Sequence, residues 1–326
     1  MKAGIIGIGS YLPDKVISNY DLEKKVDTSN EWIIERTGIS YRRKANDNIC
    51  SSDLGAEAAK LSIKDANLEP EDIDLIISAS SSPDRIFPAT ACIIQNKIRA
   101  KNAAAFDIQA ACTGFIYALT TAAQFIVGGQ YKNILVVGSE VLSKVTDWED
   151  RNTCVLFGDG AGAVVLSKVK WGGVINSILG ADGNGSELLE LPAGGTKEPA
   201  DFDTVKKRRH YIKMSGNEVF KFAVKVFEDC TRKVIKEADL SLNDIDLIIP
   251  HQANIRIIDA AIKRLKFPRD RVVVNLSNYG NMSSASIPVA LDEAFRMGRI
   301  KKGHKIILIG FGAGLTWGAN LIDWNL

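Results

Sequence analysis

Histidine is scarce, cysteine is scattered and neither sign of charge prevails. The chain has three histidines, five cysteines and a formal net charge of only +2. So small a charge gives no global field of the kind that marks a nucleic-acid binder. Cys50, Cys92, Cys112, Cys154 and Cys230 are odd in number, far apart and without a C-x-x-C pair. A disulfide framework or a zinc site is therefore not expected, and most of them are read as small core residues. No apolar run approaches the roughly 18–20 residues of a membrane helix. The opening Met1-Lys2-Ala3-Gly4-Ile5 passes straight into an apolar strand pattern without the layout of a secretory signal, so a cytoplasmic location away from membranes is expected. No G-x-x-x-x-G-K-[ST] loop, H-E-x-x-H helix or G-x-S-x-G elbow occurs. Gly4-Ile5-Ile6-Gly7-Ile8-Gly9 lacks dinucleotide spacing, and Pro13 follows too soon for a helix.

What is present is an internal repeat. Ala66-Asn67-Leu68 through Ile73-Asp74-Leu75-Ile76-Ile77 reads closely on Ala238-Asp239-Leu240 through Ile245-Asp246-Leu247-Ile248-Ile249, an offset of 172 (238 less 66). The same offset pairs Ile134 with Ile306 and Gly138 with Gly310. The 326 residues exceed what one core usually serves. We therefore expect two α/β halves, 1–170 and 171–326, related by a pseudo-dyad. In the first, helices at 53–66, 89–99 and 113–127 alternate with strands at 73–78, 103–108 and 134–137. The second repeats this with helices at 217–238, 255–265 and 285–297 and strands at 247–249, 272–274 and 305–309. Apolar strands flanked by helices imply sheets covered on both faces. The Gly-, Pro- and charge-rich stretch 171–209 reads as a joining loop, with Lys206-Lys207-Arg208-Arg209 as a solvated run.

Two residues stand out for chemistry. Cys112, in Gln109-Ala110-Ala111-Cys112-Thr113-Gly114, follows a strand and opens a long apolar helix, where the helix dipole favours a thiolate. His251, in Pro250-His251-Gln252-Ala253-Asn254, stands at the carboxyl end of a buried-type strand, where ligand sites of α/β sheets gather. Under the 172 offset Cys112 corresponds to Ser284, which puts Tyr279-Gly280-Asn281-Met282-Ser283 at the equivalent junction of the second half. A buried core cysteine and a hydrogen-bonded structural histidine are the plain alternatives. Thr28-Ser29-Asn30-Glu31 reads as a capping box opening a helix on which Trp32 and Arg36 share a face, suited to an adenine ring and a phosphate.

Taken together, Glu35-Arg36-Thr37-Gly38-Ile39, Ala110-Ala111-Cys112, Phe157-Gly158-Asp159-Gly160-Ala161-Gly162, His251-Gln252-Ala253-Asn254, Gly280-Asn281-Met282-Ser283 and Phe311-Gly312-Ala313-Gly314-Leu315-Thr316-Trp317-Gly318 form a set. On these motifs the chain resembles the 3-oxoacyl-[acyl-carrier-protein] synthase III enzymes of the thiolase superfamily. The resemblance implies a thiolase-like fold of duplicated α/β halves in five αβαβα layers. It implies a Cys112–His251–Asn281 triad and an oxyanion hole from the N–H groups of Cys112 and Ala313, the latter standing where many members have glycine. Coenzyme A contacts fall on Thr28, Trp32, Arg36, Arg151, Phe220, Ala253 and Asn254, with Asn152 replacing a glycine of some relatives. Phe87 matches a residue that lines the acyl pocket from a dimer partner. Lys221, Arg256, Lys263 and Arg264 match a patch that docks acyl carrier protein. The implied reaction condenses an acyl-CoA primer with malonyl-ACP through acyl-Cys112 and needs no metal or other cofactor. A starter enzyme with another acceptor, a thiol hydrolase and a catalytically silent scaffold are the competing readings.

Overall fold

Two sheets organise the chain, and the computed structural model describes residues 2–326. The first contains β1 (Lys2–Tyr11), β2 (Leu75–Ala79), β3 (Ala104–Ile108), β4 (Asn133–Val141) and β5 (Asp159–Val169), in the order β1-β5-β4-β2-β3. The second contains β6 (Gly173–Ala181), β7 (Leu247–Pro250), β8 (Lys305–Gly312) and β9 (Thr316–Asp323), in the order β7-β8-β9-β6. Neighbours β2, β3 and β4 run parallel, as do β7 and β8; the remaining pairings are antiparallel.

Helices separate and cover these sheets. α1 (Asn30–Thr37) is peripheral. α2 (Ser51–Asp65) and α3 (Thr90–Ile98) close the outer face of the first sheet, burying Leu54, Ala58, Ile63 and Ile94 against Ile76, Leu135 and Val165. α4 (Gly114–Val127) and α7 (Ser286–Arg296) lie between the sheets and touch both. α5 (Gly216–Lys236) and α6 (Ile255–Leu265) cover the far side of the second sheet through Phe227, Val234, Ile258 and Ile262. The result is five layers, α/β/α/β/α. A helix held between two sheets has no wet face, which explains why α4 is apolar nearly all round, with Phe115, Ile116, Leu119 and Ile126 fully buried. Ala118, Ala122 and Ala123 keep it thin enough to fit.

The 172-residue repeat is visible in the backbone. Leu75 pairs with Ile134 in the first sheet, and Leu247 pairs with Ile306 in the second. Tight turns at Ala111–Thr113 and Ser283–Ala285 precede the two central helices, and Ala111 and Ser283 share a left-handed backbone at φ +46° and +43°. For residues with a Cβ this conformation costs about 1–2 kcal/mol each, so both turns are held there by their surroundings.

Three expectations are corrected. The strand at 272–274 does not form: a single bridge joins Ile248 to Val272. The segment is pinched between turns at Arg269–Arg271 and Leu276–Tyr279, and the Gln252 carboxamide takes the place of a ladder, donating to Val273 O and accepting from Asn275 N–H. The stretch 171–209 begins with β6, which pairs along all of β9. In the basic run Lys207 pairs with Asp203, Arg208 with Asp147 and Glu149, and Arg209 with Glu198, so three of its four residues are ion-paired. No helix among the described residues is long and apolar enough to cross a membrane.

Candidate active site

Three loops from the two halves meet between the sheets. Cys112 sits in the turn that links β3 to α4, 7% exposed. The end of β8 passes directly behind it. A Cβ on Gly312 would come within 2.8 Å of the Cys112 Cβ and 3.0 Å of its nitrogen, so only glycine permits this approach. His251 follows β7, its N–H bonded to Ile309 O at 2.7 Å and its ring edge-on to Phe311. Asn281 follows Gly280, which turns the chain at φ +72°. Its backbone bridges to the neighbouring loop twice, from its N–H to Leu156 O (2.9 Å) and from Gly158 N–H to its own carbonyl (3.0 Å). The Ser283 N–H donates to Asn281 Oδ1 at 2.8 Å. That bond fixes the carboxamide and leaves Nδ2, a donor, free to point elsewhere.

Cys112, His251 and Asn281 line one cavity of about 280 Å³. Its walls include Trp32, Arg36, Phe220, Ala253 and Asn254, and also Asn152. A second, smaller space of about 160 Å³ is also lined by Cys112, together with Ala313, Leu142, Phe157, Leu189, Leu191 and Ile212. Cys112 thus borders both a larger cavity with polar groups and a smaller, mainly apolar one.

Burial dominates the electrostatics here. The Cys112 thiol is pushed up to about 12 by burial, with the negative Glu140 adding to the rise and a Ser283 hydrogen bond opposing it. From an ordinary 9.0 this amounts to about 4 kcal/mol against the thiolate. A helix terminus returns only about 1 kcal/mol. The expectation of a resting thiolate is thus reversed. Burial also lowers His251 to about 3, so the imidazole is neutral. The resting pair is a neutral thiol and a neutral ring.

Glu140, at the end of β4, carried no signal in the sequence. It is fully buried, and burial raises its carboxyl above the ordinary range despite several hydrogen bonds. It accepts from the N–H groups of Ser81 and Ser82 and from the hydroxyls of Ser82 (2.6 Å) and Ser284 (2.7 Å). It therefore ties the loop leading to Phe87 to the loop carrying Asn281. Ser286, bonded to His251 Nδ1 at 2.6 Å, also went unnoticed, because a serine at the start of a helix reads as a cap.

Other expected residues are placed as follows. The Arg151 guanidinium stacks on the Trp32 ring at 4.1 Å, with Arg36 at 6.0 Å. Thr28 and Arg151 lie outside the walls of the larger cavity. The cap of α1 is Ser29, accepting from Trp32 N–H, so the capping box read from Thr28 does not form. Phe87 is 82% exposed and does not line the space beside its own Cys112. Arg256, Lys263 and Arg264 are all exposed on α6; Arg264 pairs with Glu228, Arg256 stacks over Phe220, and Lys221 pairs with Glu218. His210 bonds to Thr204 and His304 accepts from Lys301 N–H, both away from the site. Cys230 and Cys154 are buried, the latter in a helical turn (Arg151–Cys154) instead of a strand. Cys92 is exposed on α3, against the expectation of a core residue. Among the described residues no group of three His, Cys, Asp or Glu side chains is placed to hold a metal.

Comparison with known proteins adds the lineage. Residues 106–183 match the family described as 3-Oxoacyl-[acyl-carrier-protein (ACP)] synthase III, and residues 235–324 match its C-terminal counterpart. The chain is 56% identical over 326 residues to a beta-ketoacyl-[acyl-carrier-protein] synthase III of Caldanaerobacter subterraneus, covering 100% of this chain and 98% of that protein. The corresponding protein of Desulfitobacterium hafniense strain Y51 is 54% identical, with the same coverage. The crystal structure of 3-oxoacyl-[acyl-carrier-protein] synthase III from Aquifex aeolicus superposes with a TM-score of 0.92 at 47% identity, covering 99% of this chain and 100% of that one. Full-length identity above one half, joined to the duplicated five-layer fold, shows that the chain belongs to the beta-ketoacyl-[acyl-carrier-protein] synthase III family of condensing acyltransferases.

Proposed function

We propose that the protein joins an acyl-CoA primer to malonyl-ACP, giving 3-oxoacyl-ACP, coenzyme A and carbon dioxide, with the acyl group carried on Cys112. The observation that carries this reading is that Cys112 lines two unlike spaces, one of them shared with His251 and Asn281. The smaller, mainly apolar one suits an acyl chain of a few carbons, and the larger one suits the thioester arm that delivers it.

In the first half-reaction the Cys112 sulfur attacks the thioester carbonyl, the C–S bond to coenzyme A breaks, and the thiol's proton leaves with the coenzyme A sulfur. The N–H groups of Cys112 and Ala313 hold the oxyanion; one such donor is typically worth about 3–4 kcal/mol. Storing the acyl group on sulfur splits one hard step into two easier ones. In the second, malonyl-ACP enters the larger cavity and loses carbon dioxide. The electron pair released forms an enolate whose oxygen accepts hydrogen bonds from Asn281 Nδ2 and His251 Nε2. Its carbon attacks the acyl-Cys112 carbonyl, and the departing sulfur takes up a proton. A neutral imidazole suits this work, because it donates without trapping the malonyl carboxylate as an ion pair. Trp32, Arg36 and Arg151 hold the coenzyme A nucleotide, aided by Thr28, Phe220, Ala253 and Asn254. Lys221, Arg256, Lys263 and Arg264 receive the acidic carrier protein. β3 is an edge strand, and Ile86 and Phe87 are each more than 80% exposed. An unpaired edge and two bare apolar side chains both favour a second copy as cover, and we read the enzyme as a homodimer. It needs no cofactor beyond its thioester substrates, and these soluble partners set it in the cytoplasm.

Incubation with labelled acetyl-CoA and malonyl-ACP tests the reading. Label on Cys112 and formation of 3-oxoacyl-ACP are expected. Cys112→Ala abolishes both, while Asn281→Ala keeps the label and loses decarboxylation by about 10²–10³-fold. Label without condensation would point to a starter enzyme with another acceptor, and no label at all to a silent scaffold.

A further inference from the structure

We propose that Arg42 is a positioning residue that sets Asn281 through the loop at 155–158; the inference rests on the condensing role given to Asn281. Arg42 lies on the short strand Tyr41–Arg43, opposite Ile17, and is fully buried. A guanidinium at that depth ordinarily faces a carboxylate. Here its three acceptors are Val155 O (2.9 Å), Asn19 Oδ1 (2.8 Å) and Ile17 O (3.4 Å), and none of them is charged. Among the described residues its Nε has no partner. Burial lowers Arg42 to about 10, so the charge persists at neutral pH. An uncompensated buried ion weakens a fold, and an apolar side chain of like size often does better there. Stability alone therefore does not account for Arg42.

What it holds does. Val155, Leu156, Phe157 and Asn281 all line the larger cavity. Arg42 Nη2 donates to Val155 O; the next carbonyl, Leu156 O, accepts Asn281 N–H (2.9 Å), and Gly158 N–H donates to Asn281 O (3.0 Å). The stem of the arginine passes beside the same two loops. A Cβ on Gly158 would stand 3.3 Å from the Arg42 Cβ, and one on Gly280 would stand 3.2 Å from it. Both loops that fix the Asn281 backbone are thus seated on one side chain. The other arm of the fork runs to α1. A guanidinium can only donate, so Asn19 turns Oδ1 toward it. Asn19 Nδ2 then donates to Asn30 Oδ1 (3.1 Å) at the start of α1 and to Ile39 O (2.8 Å) just past its end.

Arg42→Met, which fills the space without burying a charge, separates this role from a merely structural one. Its thermal midpoint is expected to stay near that of the wild type or above it. Labelling of Cys112 at saturating acetyl-CoA stays within about threefold, while kcat for carbon dioxide release from malonyl-ACP falls by more than about tenfold. The crystal structure of the variant shows the 155–158 loop and Asn281 displaced together. Arg42→Lys keeps the charge but not the planar fork, and is expected to share the loss. Asn19→Ala cuts only the arm to α1, so its release of carbon dioxide stays within about twofold of wild type. Unchanged release in Arg42→Met, a lysine variant equal to wild type, or an Asn19→Ala variant as impaired as Arg42→Met overturns the inference. So does a loss of both half-reactions in step with the thermal midpoint. If Arg42→Met does not fold, Arg42→Lys and its crystal structure decide. A wild type that takes the label but does not condense overturns the condensing role instead; the displacement of Asn281 in the variant's crystal structure then still decides whether Arg42 holds it.

Discussion

Gly158 offers a sharp test of how Asn281 is held. Its φ is not in the left-handed region, so alanine is compatible with the local backbone. The difficulty is contact: a Cβ there would lie 2.2 Å from Tyr279 O, a backbone atom that cannot swing aside. Ordinary contact begins near 3.4 Å, so Gly158→Ala requires the loops at 157–158 and 279–281 to part by about 1.2 Å (3.4 less 2.2). Those loops are joined by the two backbone hydrogen bonds that flank Asn281. Overpacking of this kind costs about 1–3 kcal/mol, within the reserve of about 5–15 kcal/mol of a folded protein. The variant therefore folds. A displacement near 1 Å at a catalytic group costs about 10²-fold in rate. Cys112 does not belong to these loops, so its labelling by acetyl-CoA stays within a few-fold of wild type while carbon dioxide release from malonyl-ACP falls about 100-fold. Unimpaired release in a folded variant would falsify the account of Asn281 placement. An equal loss of both half-reactions would refute the division of labour between the loops.

With the Cys112 thiol at about 12, the labelling rate in single turnover rises with pH through the range 6–9; a plateau by pH 7 contradicts the burial argument. Carbon dioxide release depends on a His251 that stays neutral above about pH 3, so it is nearly flat over the same range, and a step near pH 6.5 counts against this. Asp147 is almost fully buried and is held at about 2, below its ordinary 3.8, chiefly by the Arg208 hydrogen bond. A depressed carboxylate stabilises above its unfolded value and loses that contribution as pH falls toward the folded one. Asp147→Asn is thus expected to lower stability by about 1–2 kcal/mol at neutral pH, with the difference from wild type closing as pH falls from about 4 toward 2 in urea titrations. Lys263→Glu raises KM for malonyl-ACP by roughly three- to tenfold at low salt, and high salt erases the effect, if α6 receives the carrier protein.

The architecture was legible because the repeat operates at the level of register. Leu75–Ile134 and Leu247–Ile306 are equivalent pairs, so two matching strings of apolar residues were enough to read two matching sheets. Cys112 and His251 were legible from their places at strand ends. What escaped depended on side chains reaching across the chain. Nothing near Gln252 in sequence says that its carboxamide replaces a strand partner at Val273. β6 was hidden by its start, since Gly172 just before it and Gly173 at its first position, both with positive φ, lent the stretch the composition of a loop. The thiol's state was misjudged because a helix start is visible in sequence and burial is not.

Duplication creates a mirror position for the reacting centre, and the chain has closed it. Ser284 stands where Cys112 would be, Ala79 where His251 would be, and Glu140 where Gly312 would be, each at 172 residues. There the Ser284 hydroxyl bonds to Ala79 O and to the Glu140 carboxylate, so a hydrogen-bonded cluster stands where the other repeat has its sulfur. The position that mirrors the reacting centre serves here as a fastener, a serine of one repeat clasped by a carbonyl and a carboxylate of the other.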